Sequence, residues 1–89
     1  MNWRIEVKPT AEKQYRKLDR KTRLRIKEAL HLLEEAPNPL HHKDVRALTG
    51  ELHGDCRLRV GEWRILFTPQ QESKILYIYA ILPRGEAYK

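Results

Sequence analysis

Residues 56–67 read CRLRVGEWRILF, and the folding of this stretch decides the architecture around it. Cys56, Leu58 and Val60 alternate with Arg57 and Arg59, while Trp63, Ile65 and Phe67 alternate with Arg64 and Leu66. That is the period of two half-buried strands. Between them, Gly61-Glu62 suits a type II′ hairpin, which takes glycine at its first central position. A two-residue loop sets Val60 opposite Trp63, Arg59 opposite Arg64, Leu58 opposite Ile65 and Arg57 opposite Leu66. The apolar set faces a core; Arg57, Arg59, Arg64, Leu66 and Thr68 are expected on the other face, open to solvent. Like charges directly across a strand pair are destabilising. Such a cluster calls for carboxylate partners, Glu72 and Glu86 among the candidates, or for a bound anion. Guanidinium forks grip phosphate oxygens in bidentate fashion and stay charged at any relevant pH. Several converging on one spot would stabilise the charge of a phosphoryl-transfer transition state.

Working outward, Trp3, Ile5 and Val7 alternate with polar residues and predict an N-terminal strand, stopped by Pro9 and Thr10. Ala11, Tyr15 and Leu18 recur at helical spacing, with Thr10 as N-cap. Asp19 caps a second, longer helix whose Ile26, Ala29, Leu30 and Leu33 form one apolar stripe. Pro37 and Pro39 end it. Residues 37–54 read as a long connection, with Leu48 and Leu52 pinning it to the core. After the hairpin, TPQQES turns the chain into KILYIYAIL, apolar on both faces and therefore a central strand. The order β-α-α-β-β-β predicts an α+β fold, a predominantly antiparallel sheet with the two helices packed on one face.

The chain has 89 residues, enough for one compact domain spanning 1–89. No stretch approaches the roughly 18–20 apolar residues of a membrane span, and the first residues are charged every few positions, unlike a signal peptide. A single cysteine, Cys56, has no internal disulfide partner, and a reducing cytoplasm is the expected location. The net charge of +6 is concentrated. Lys13, Arg16, Lys17, Arg20, Lys21, Arg23, Arg25 and Lys27 fall in one window with Asp19 as the only acid. A basic surface of that density points to a polyanion or an acidic protein partner. His41, His42, His53 and Cys56 form no ligand set of recognised spacing, so no metal or other cofactor is expected. His53 beside Asp55 offers an alternative catalytic base.

The run CRLRVGEWRILF, the apolar strand after it and the closing LPRGEAYK together resemble the RelE branch of the RelE/ParE toxin superfamily. The resemblance implies a microbial-RNase-like domain that cuts messenger RNA in the ribosomal A site. It also implies a cognate antitoxin, acidic and from the same operon, in a toxin–antitoxin hetero-oligomer. Arg57 or Arg59 would match basic strand residues that are often lysines in the family. Arg64 would match the hairpin arginine, Arg84 the late basic residue and Tyr88 the C-terminal tyrosine. Internal transfer needs the 2′-hydroxyl deprotonated, the phosphorane charge stabilised and the leaving 5′-oxygen neutralised. Arginine is a poor base, since its pKa exceeds about 12. Tyr88 is then the proton acceptor if neighbouring arginines lower its pKa from about 10, Arg64 and Arg84 hold the scissile phosphate, and Arg57 or Arg59 stabilises charge or orients the leaving group. Lys13, Arg16, Lys17, Arg20, Lys21, Arg23 and Lys27 would contact ribosomal RNA. Two non-nuclease alternatives share the fold: a ParE-like toxin that poisons DNA gyrase, and a member that only binds antitoxin or RNA.

Overall fold

The computed structural model describes residues 3–48 and 54–85. Strand β1 spans Arg4–Val7, helix α1 Pro9–Arg16, helix α2 Arg20–Glu35, strand β2 Val45–Ala47, strand β3 Cys56–Val60, strand β4 Trp63–Gln70 and strand β5 Ile75–Pro83. The sheet order is β1-β5-β4-β3-β2. Only β1 against β5 is parallel; the other three pairings are antiparallel. Both helices cover one face, as the sequence leads one to expect. Ile26 and Leu33 of α2 pack with Leu58, Ile65, Phe67, Leu76 and Ile78 in one cluster of buried side chains.

Local chemistry places each boundary. Helix α1 begins at Pro9 with Lys8 as N-cap, so the cap lies two residues before Thr10. Proline at the first helical position loses nothing, because its missing N–H would be unpaired there anyway. Asp19 does occupy the N-cap of α2 with extended backbone. Its side chain closes no cap bond of strict geometry, yet Thr22 lies near enough to hold the exposed carboxyl below the ordinary aspartate range. Ala36 is extended ahead of Pro37 and stops the helix.

The hairpin register is the one the Gly-Glu loop dictates, pair for pair. Gly61 sits at φ +59 while Glu62 stays negative, the signature of a II′ rather than a I′ turn. Strand β5 is interior, between β1 and β4. Three expectations are corrected. Residues 37–54 are not wholly a connection, because Val45–Ala47 adds the edge strand β2 against β3. Three residues with one buried side chain, Val45, are too few to show a period. Strand β4 also runs through Thr68, Pro69 and Gln70, which pair with β5. Pro69 is tolerated there because β3 has already ended at Cys56 opposite Phe67, leaving that side of β4 unpaired. Finally, the outer face of the hairpin is not all open, as described below. Leu48 is half-buried as expected of a pin; Leu52 lies outside the described residues.

Candidate anion-binding cleft

Arg59 and Arg64 face each other across β3 and β4, and Arg57 faces Leu66. Strand β2 adds a second arginine pair, Arg46 opposite Arg57. Arg84 follows β5, and its backbone N–H donates to the Glu62 carbonyl at 2.8 Å, which holds it against the hairpin turn. The chain thus brings Arg57, Arg59, Arg64 and Arg84 to one end of the outer sheet face. A cleft of about 480 Å³ opens there between Asp44, Arg59, Gly61, Glu62, Arg64 and Arg84. A smaller hollow of about 200 Å³ beside it adds Lys43, Arg46 and Arg57. Six cationic side chains therefore surround this region against two carboxylates, Asp44 and Glu62.

The arginines lower their repulsion by parting. Arg59 turns to Asp44, whose Oδ1 accepts from its guanidinium at 3.1 Å, while the Arg59 backbone N–H donates to the Asp44 carbonyl at 2.9 Å. The ion-pair partner is thus Asp44; Glu72 lies at the far turn, and Glu86 is outside the described residues. Arg64 folds back instead, donating from one Nη to the carbonyls of Gly61 and Trp63, both at 2.9 Å. It is 5 % exposed and Leu66 likewise, which corrects the expectation that both are open to solvent. The reason is β5: Leu82 and Ala80 flank Arg64 and Leu66 on the side a lone hairpin would leave bare.

The Arg64 guanidinium is held by carbonyls alone among the described residues, and its buried Nε has no hydrogen-bond partner. Carbonyls fix the direction of a guanidinium but do not neutralise its charge, and a buried charge without a counter-ion is unfavourable. An anion in the cleft would supply the counter-charge.

Sequence reasoning missed Asp44, Arg46 and Lys43, because they enter the cleft only through β2. The Asp44 backbone N–H donates to His42 Nδ1 at 3.1 Å, so the corner before β2 is tied locally. The three residues of β2 are too few to signal the strand. Tyr88 and His53 lie outside the described residues.

At the other end of the outer face, Asp55 accepts from the Thr68 and Tyr79 hydroxyls, both at 2.9 Å. Tyr79 is the residue skipped where the β4–β5 register shifts between Leu66 and Phe67. Burial and the Asp55 carboxylate push its pKa well up. Burial, then the Asp55 charge, also raises the Cys56 thiol.

The basic window on the helices is not one surface. Arg16 is paired with Glu12 four residues earlier. Arg16 and Lys27 border a groove of about 620 Å³ whose floor is Ile5, Val7, Tyr15, Leu30, Ile78 and Ile81. Arg25, two residues from Lys27 and so about 200° away around α2, reaches the hairpin turn instead.

Comparison with known proteins follows this geometry. The family model for the ParE toxin of the type II toxin–antitoxin system parDE matches residues 5–88. Comparison with curated protein sequences gives no match. Among solved structures, the archaeal RelE–RelB complex from Pyrococcus horikoshii has a chain 26% identical, with 96% of this chain and 98% of that one covered and a TM-score of 0.77. The toxin–antitoxin complex RelBE2 from Mycobacterium tuberculosis has one 23% identical, covering 96% and 94%, with a TM-score of 0.81. The YoeB/ParE toxin from Agrobacterium tumefaciens is 13% identical over 90% and 96%, at a TM-score of 0.74. The last two likenesses are of fold.

Proposed function

This chain belongs to the ParE toxin family of type II toxin–antitoxin systems, within the RelE/ParE superfamily, and on that premise we propose that it is a ribosome-dependent endoribonuclease that cuts messenger RNA in the A site. The observation that carries the reading is the convergence of Arg57, Arg59, Arg64 and Arg84 on one cleft, with Arg64 buried and hydrogen-bonded to carbonyls alone among the described residues. A sheet gains nothing for its own stability from that arrangement. A phosphodiester placed there gives Arg64 and the rest of the cluster a counter-charge.

In this reading the 2′-oxygen attacks phosphorus, the bond to the 5′-oxygen breaks, and a 2′,3′-cyclic phosphate remains. The added charge of the pentacoordinate state falls on oxygens held by Arg64 and Arg84, with Arg57 or Arg59 beside them. Arg64 is the fixed member, since two carbonyls hold it in place before substrate arrives. The proton from the 2′-hydroxyl goes to Tyr88 in its phenolate form, which neighbouring arginines favour, and the departing 5′-oxygen takes a proton from water. Dependence on the ribosome follows from the absence of an imidazole at the cleft among the described residues: proton transfer is weak, and substrate alignment must come from outside.

The partner is an acidic antitoxin. The P. horikoshii and M. tuberculosis relatives are both held in complexes with theirs, and the net charge of +6 suits an acidic one. A cell-free translation reaction with primer extension on the message tests the activity. New 5′ ends should appear with the wild-type chain and vanish with Arg84→Ala, an exposed position, and with Tyr88→Phe. A second reading is favoured by the matched family itself, whose model is that of ParE. Translation left uncut while gyrase supercoiling stops would establish that reading and remove the first.

A further inference from the structure

Gly61 does more than allow a positive φ. A Cβ placed on it would lie 2.9 Å from one Nη of Arg25, 3.1 Å from the other and 3.2 Å from Cζ. The Arg25 guanidinium therefore rests against the hairpin turn, over the residue whose carbonyl accepts from Arg64 on the cleft side. Two guanidiniums from different elements touch the same glycine, one from each side of the turn. Arg25 is exposed and forms no hydrogen bond or ion pair with any described residue. Lys21 lies one helical turn behind it on α2, and Glu28 is the acid nearest in sequence on that flank. Gly61 and Glu62 themselves line the cleft, so the positive surface does not stop at the cleft wall.

We propose that Arg25, backed by Lys21, forms a second phosphate position, over which an RNA strand leaving the arginine cleft crosses the β3–β4 turn and continues along α2. The inference rests on the nuclease reading for the identity of the polyanion. Its geometry does not depend on cleavage. A single strand is a row of charges with free backbone torsions, so consecutive phosphates can follow Arg64, Arg25 and Lys21 around the turn. An acidic protein segment would need an ordered run of carboxylates to do the same. Of the helix cations, the flank bearing Lys21 and Arg25 is thus separated from the flank bearing Lys27, which borders the apolar groove with Glu12 and Glu34.

The test is fluorescence anisotropy of a labelled single-stranded RNA of about ten nucleotides, titrated with the full chain over a salt series. Each phosphate contact to a single strand contributes about −0.7 to the slope of log affinity against log salt. Arg25→Gln should make that slope shallower by about 0.7, and Lys21→Gln should move it the same way. Lys74→Gln, the same charge change at the opposite turn, should leave it nearly unaltered, and melting temperatures should match throughout. Equal slopes for Arg25→Gln and Lys74→Gln would overturn the proposal, as would wild-type chain that does not bind the RNA at all. Arg25→Gln that binds RNA normally but loses the antitoxin would make this a protein contact and overturn it as well. If the slope responds to Arg25 while messenger RNA stays uncut in translation, the phosphate position stands and the nuclease reading falls.

Discussion

Arg64 and Arg59 carry the same charge and have different duties. Arg64 is buried and oriented by two carbonyls; Arg59 is exposed and tethered to Asp44. Loss of one preorganised donor to a transition-state oxyanion typically lowers the rate by about 10²–10³-fold. Arg84→Ala should show that loss in the primer-extension assay with an unchanged melting temperature. Arg64→Ala should lose activity too, and Arg64→Lys should not restore it, because an ammonium has no planar fork to hold two carbonyls and a phosphate. On the proposed reading Asp44 competes with the phosphate, since its carboxylate occupies the Arg59 guanidinium. Exposed pairs contribute only about 0.2–1 kcal/mol, so Asp44→Ala should hardly change urea stability. The same substitution should tighten RNA binding by up to about fivefold in the anisotropy titration, as Arg59 becomes free for phosphate.

Among elements, the β3–β4 hairpin is the most legible, because glycine at the turn and strict alternation leave a single register. Replacement of Gly61 by alanine should destabilise by about 1–2 kcal/mol in urea unfolding, the penalty of a side chain at positive φ. It should also displace the Arg25 guanidinium. Strand β2 was illegible: its three residues carry no measurable period, and the sequence between Pro39 and Gly54 looks like loop. Asp44, Arg46 and Lys43 stayed hidden with it, since a carboxylate gains its role from the strand that carries it across to Arg59. The burial of Arg64 was hidden for a related reason. A hairpin read alone has an open face, and only the pairing with β5 closes it. The Asp55–Thr68–Tyr79 group joins β4 and β5 to the residue just before β3 and depends on a register shift that no alternation pattern announces. Asp55→Ala should bring the Tyr79 pKa back down toward its ordinary 10.0 in an ultraviolet titration, because a raising carboxylate is removed.

For the whole molecule, the raised groups set an alkaline limit. Cys56 and Tyr79 both bind their protons more tightly in the fold than in the unfolded chain. Their contribution is complete below the unfolded values and is lost as pH rises past them, from the ordinary 9.0 for Cys56 and 10.0 for Tyr79. Urea midpoints should hold steady below about pH 8 and fall between pH 9 and 11. With Cys56→Ala the fall should begin later, near the tyrosine range. The helices act at this scale as well, shielding the β1 side of the sheet: Glu34 accepts from the Ile5 N–H at 3.4 Å, and Gln14 from the Ile81 N–H at 2.7 Å beyond the end of β1.

The parallel pairing of β1 with β5 joins the first of the described strands to the last in chain order. Until Ile75–Ile78 have left the ribosome, β1 has no neighbour, and the strand that closes over Arg64 and leads into Arg84 does not exist. The fold therefore cannot complete its cleft on a partly made chain, since its most separated contacts must close before the site is assembled. A chain built in this order has no arginine cleft until β5 has been made and has joined β1 and β4.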